Sequence, residues 1–113
     1  MQFDIDLKSV YKNLFLDVRR LLLSNPEIIE TKKERITTYS NKKGGICHLR
    51  TMDHGIDLGF LKGVQLEDKL SLLHGNGKTV RVLSLKGYHE IVINYYIDQA
   101  LEMNNKKKLI QQF

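Results

Sequence analysis

The chain has one cysteine, Cys47, one proline, Pro26, and no tryptophan in 113 residues. A lone thiol excludes an internal disulfide and suits a reducing cytosol, so a cytoplasmic setting is expected. Long apolar runs are missing too. Stretches such as Leu21-Leu22-Leu23 fall far short of the roughly 20 residues a membrane span needs, so no membrane partner is expected. The opening Met1-Gln2-Phe3-Asp4-Ile5-Asp6 is acidic and has neither a basic n-region nor an apolar h-region, and no secretory signal is expected. There is no internal repeat, and the length fits one domain over 1–113, closed by a basic and apolar tail at 106–113.

What remains is an ordinary globular composition, 42% apolar and 27% charged, with an excess of positive charge. Lys and Arg number 18 against 13 Asp and Glu, and the net charge of +5 favours encounter with anionic partners by long-range attraction. Part of that excess sits in Lys106-Lys107-Lys108, read as a solvated tail. Nucleic-acid binding is therefore expected to be weak and nonspecific. The five tyrosines and four phenylalanines fall mostly on helical core stripes, and the standard recognition signatures are absent.

Leu7, Val10, Tyr11, Leu14, Val18, Leu21 and Leu22 recur at helical spacing, which predicts one long amphipathic helix with Asp6 as N-cap, ended by Ser24-Asn25-Pro26. Residues Glu27 to Glu34 show no apolar stripe beyond Ile28-Ile29 and read as a connection with at most a helical turn. From Arg35 the period changes to two. Ile36-Thr37-Thr38-Tyr39, a turn over Asn41 to Gly45, and Ile46 to Met52 predict a hairpin, and Asp53-His54-Gly55 turns the chain into a third strand. On that strand Ile56, Leu58 and Phe60 share one face, while Asp57, Gly59 and Leu61 share the other. Gly59 inside the strand implies a bulge or the close approach of another backbone. Leu66, Leu70 and Leu73 predict a short helix started by Glu67-Asp68 near its positive end and stopped by Gly75, followed by a strand from Thr79 to Lys86 and a final helix from Ile91 to about Asn104. The fold class expected is α+β: an antiparallel sheet of about four to five strands, packed on one face by N- and C-terminal helices, with a short helix before the last strand.

The candidate site is the loop Gly75-Asn76-Gly77-Lys78-Thr79-Val80-Arg81 together with Asp57. Two glycines around Asn76 leave backbone N–H groups free to turn inward, Lys78 and Arg81 add cations, and a small anion is the ligand expected. Asp57 and Arg81 are expected to meet across neighbouring strands, orienting the guanidinium for a bidentate contact. The alternative is that Gly75 caps a helix, Asn76-Gly77 turns the chain and the ion pair is structural. The order of elements, Ile56-Asp57-Leu58-Gly59-Phe60, and Gly75-x-Gly77-Lys78-x-x-Arg81 resemble the YdhG-like domain-of-unknown-function family over roughly Arg35 to Met103. That resemblance implies a frataxin-like two-layer sandwich and, for one branch, an iron-chaperone role. Iron would need a carboxylate ridge on the first helix, whereas Asp6 and Asp17 stand far apart among Lys8, Lys12, Arg19 and Arg20.

Other chemistries fail on spacing. Gly77-Lys78-Thr79 lacks the earlier glycine of a phosphate loop, where Leu72 stands, and precedes a strand. His48, His54, His74, His89 and Cys47 show no compact ligand spacing, and no metal or cofactor is expected. Cys47 in mid-strand reads as a small core residue, which gives no catalytic residue. The expectation is a non-catalytic domain binding a small anion or a protein partner, with a weak homodimer formed through Leu109, Ile110 and Phe113.

Overall fold

The computed structural model describes residues 1–111, with side chains through residue 106. The elements run α1 (Gln2–Asp6), α2 (Lys12–Leu23), β1 (Ile29–Lys32), β2 (Thr37–Asn41), β3 (Gly44–Met52), β4 (Gly55–Phe60), a single 3-10 turn (Gly63–Gln65), β5 (Leu73–His74), β6 (Arg81–Leu85) and α3 (Glu90–Gln111). All six strands form one antiparallel sheet in the order β1-β2-β3-β4-β6-β5. The class is α+β, with one strand more than the sequence led us to expect.

Parity assigns the faces. Residues directly opposite on antiparallel strands share a face, so Tyr39, Cys47 and Phe60 form one row, and Leu49, Leu58 and Leu83 form the next. All six are fully buried. All three helices close over this face. Asp6 of α1 accepts hydrogen bonds from the Thr51 backbone N–H and hydroxyl at 2.9 and 2.8 Å, and Glu30 pairs with Arg19 of α2. Tyr96 of α3 lies against Phe60 with ring centroids 6.0 Å apart. Each large apolar side chain buried here contributes about 1.5–3 kcal/mol. A bulge between Tyr39 and Ser40 leaves Ile46 as an extra residue on β3, so that Ile46 and Cys47 are both buried although they are consecutive.

Three expectations are corrected. The long first helix is two pieces. Ser9 Oγ accepts the Tyr11 N–H at 3.0 Å, a local bond that competes with the helical ladder, and the turn it makes throws Val10 out to 94% exposure. Asp6 consequently ends α1 as a buried carboxylate and does not cap α2. The connection at 27–34 contains edge strand β1, whose pattern is inverted. Ile29 is exposed, while Glu30 points under α2, held by Arg19 at 2.7 and 2.9 Å and by the Tyr39 hydroxyl at 2.9 Å. Burial pushes the Glu30 carboxyl up, but the bonds from Arg19 and Tyr39 and the guanidinium charge outweigh it and hold the group below its ordinary range.

The short leucine helix is absent as well. Asp68, expected in its first turn, instead accepts the N–H groups of Leu72 and Leu73 and the Tyr96 hydroxyl, which ties residues 68–73 into a loop on α3. Ser71 takes φ +55° there, and Leu70 and Leu72 remain exposed. The helical segment before the last strands shrinks to the 3-10 turn. α3 is anchored far along its length by Asn104, which accepts from Lys62 at 2.7 Å and donates to Asn41 at 3.2 Å. Leu109, Ile110 and Phe113, on which the homodimer expectation rests, lie outside the described side chains.

Candidate functional site

The second face of the sheet receives no helix among the described residues. The parity that buries Leu49, Leu58 and Leu83 puts Thr38, His48, Gly59, Val82 and His74 in one row of the open face, and Arg50, Asp57 and Ser84 in the next. Arg50 and His74 are exposed, and the side chains between them are partly so.

A chain of hydrogen bonds crosses this face. Ser84 Oγ donates to Asp57 Oδ1 at 2.6 Å, His54 Nε2 lies 2.8 Å from the same oxygen, and His74 Nε2 lies 2.7 Å from Ser84 Oγ. The donors follow from valence. A carboxylate only accepts, so His54 carries its proton on Nε2; the one Ser84 proton points at Asp57, so His74 must also donate from Nε2. The bonds thereby place a proton on Nε2 of both rings. Position supplies the rest: Asp57 and Ser84 are register partners on β4 and β6, His54 sits in the turn before β4, and His74 sits on the short edge strand β5.

His48 is held differently. A Cβ built on Gly59 would fall 2.1, 2.4 and 2.9 Å from Cε1, Nε2 and Nδ1 of the His48 ring, so the imidazole lies across the Gly59 backbone, and a side chain at 59 would displace it. The expectation of another backbone or a bulge at Gly59 is corrected: strand pairing is regular there, and what approaches is this side-chain ring. His48 Nδ1 is sealed from solvent without a hydrogen-bond partner. Burial pulls the ring's pKa below the usual imidazole value, the Arg50 charge lowers it further, and Asp57 partly offsets both.

The residues expected to form the anion site do not converge. Asp57 pairs in register with Ser84, and Arg81 pairs with Phe60, an offset of three positions that puts the two on opposite faces. The Asp57–Arg81 pair is therefore not formed. Arg81 Nη1 turns back on its own loop, donating to the carbonyls of Gly77 and Val80. Gly75 takes φ +127°, a left-handed value suited to glycine, but it follows strand β5 and caps no helix. Asn76, Gly77 and Lys78 are exposed along the outer loop. Cys47 is buried, which pushes its thiol up to about 12.

Five residues of the open face, His48, Arg50, His54, His74 and Ser84, were not in the expected site. The available signal was the period-two pattern that sets Asp57 and Gly59 opposite the apolar Ile56, Leu58 and Phe60. Among the described residues no group of three or more His, Cys, Asp or Glu side chains is arranged to hold a metal ion, and no helix is long and apolar enough to cross a membrane. No protein-family model, curated protein or solved structure matches the chain.

Proposed function

We propose that the chain is a small non-catalytic binding domain that takes an anionic ligand or an acidic partner on the open face of its sheet. The observation that carries this reading is the division of the sheet: three helices cover one face, and the other presents Arg50 beside three histidines grouped around Asp57. A protein of net charge +5 draws anions toward such a face, and the exposed guanidinium offers them a paired hydrogen bond.

Several features support binding over catalysis. The thiol of Cys47 is buried and protonated. The Ser84 proton is committed to a carboxylate, and the nearest imidazole faces Ser84 with its N–H, so it is not placed to take that proton. A cytoplasmic setting and a place in the YdhG-like family belong to the same proposal. The lone cysteine supports the first, and the strand over Gly55–Phe60 with the terminal α3 helix supports the second.

Titration with inorganic phosphate and with polyglutamate, followed by backbone amide NMR shifts, tests the reading. Shifts are expected at His48–Arg50, Asp57–Gly59 and Val82–Ser84, and Arg50→Glu should abolish them. Shifts confined to residues 75–81 would move the site to the loop around Lys78, and no shift with either anion would end the reading.

A further inference from the structure

We infer that the anionic partner of the open face is a single-stranded nucleic acid, with one base stacked on the outward side of the His48 ring and the phosphate chain passing Arg50. This rests on the open-face reading above and adds the partner's chemistry. The ring lies across Gly59, with three of its atoms crowding the place a Cβ would occupy, so the sheet supports one side of the imidazole, and the residue is half-exposed on the open face. Its Nδ1 is sealed without a partner, and burial favours the uncharged ring. What His48 presents is mainly a flat π surface.

That surface discriminates between anions. The face of an aromatic ring is the negative end of its quadrupole, so a carboxylate gains little by lying on it, whereas a nucleobase stacks. Arg50 stands two residues along β3 on the same face, exposed, at the right remove to pair with a phosphate beside the stacked base. Asp57 is the opposing charge, register partner of Arg50, and its bonds from Ser84 and His54 offset its field. Val82 and His74 continue the His48 row across β6 and β5, giving the strand a path over the sheet. The net charge of +5 supplies the sequence-independent attraction.

Fluorescence anisotropy on the full chain tests this with three labelled probes: a short oligothymidylate, an abasic oligomer with the same phosphates, and polyglutamate of matched charge. The thymidylate is expected to bind on the order of tenfold tighter than the abasic strand. His48→Ala should bring it down to the abasic level. So should Gly59→Ala, which keeps the imidazole but takes its seat, and thermal melts of both variants check that they fold. Arg50→Ala should weaken both strands alike and reduce the salt slope by about one. Equal binding of thymidylate and abasic strand would overturn the stacking and leave the open-face reading intact. Polyglutamate binding tighter than either strand would assign the face to an acidic protein, and no binding of any probe at low salt would remove both readings.

Discussion

On the covered face, Glu30 accepts two bonds from Arg19 and one from Tyr39, and Asp6 accepts two from Thr51; on the open face, Asp57 accepts one each from Ser84 and His54. All three carboxylates are tied down, but to different ends. The covered pairs close on groups already inside the fold and bind helices to strands. The open-face chain ends in two exposed imidazoles. Charge under the helices is cross-linking, and charge on the bare face is available for recognition.

If that division is right, damage to the covered face should cost stability and damage to the open face should cost binding. The largest effect is expected at Phe60, fully buried between the sheet and Tyr96. Phe60→Ala should destabilise by about 3–5 kcal/mol, a large part of the 5–15 kcal/mol typical of a small domain, and be read directly by denaturant unfolding. A loss below about 1 kcal/mol would mean that α3 does not close on the sheet.

Next in size is Glu30→Ala, which strands Arg19 and the Tyr39 hydroxyl and should cost about 2 kcal/mol. Its acid response carries a sign. The folded pKa of Glu30 lies below the ordinary 4.5, so its contribution is full above that value and is lost as pH falls through the lowered one. Melting temperatures taken from about pH 5 down to about pH 3 should fall more steeply for the parent than for the variant. Parallel curves would show that the ion pair holds nothing.

The sheet interior was legible because its pattern is direct: Ile56, Leu58 and Phe60 alternate with Asp57 and Gly59, and each lies where the period puts it. β1 was hidden by inversion, since Ile29 faces out and Glu30 is turned inward, half-buried against partners eleven residues back and nine ahead. Asp68 misled in a similar way. Near a leucine stripe it reads as a helix start, but its carboxylate satisfies two nearby loop N–H groups and a distant tyrosine, and a loop wins. The candidate site failed on one parity. Asp57 was correctly set opposite the core, while the partner on β6 depended on register, and a shift between Arg81 and Ser84 decides which side chain shares its face. His54 and His74 lie twenty positions apart, and only that strand pairing joins them in one hydrogen-bond chain, His54 on Asp57 and His74 on Ser84.

The smallest effect, and the one that probes the open face without a ligand, concerns His48. Its pKa is lowered from 6.5, first by burial and then by the Arg50 charge, so the native chain resists a proton that the unfolded chain accepts. The sign follows: the contribution of the neutral ring is complete above 6.5 and is lost as pH falls toward the lowered folded value, because there the unfolded state binds more protons. His54 and His74 stand on the same face, so the comparison is between the parent and His48→Gln, which share them. From about pH 7.5 to about pH 5.5 the parent's melting temperature should drop further than the variant's, by no more than about 2 °C since the ring is only partly buried. Gly59→Ala, which displaces the ring into water, should flatten the curve as His48→Gln does. If both variants track the parent, the imidazole is not seated on Gly59, and the open face loses the feature that distinguishes it from an ordinary solvated sheet.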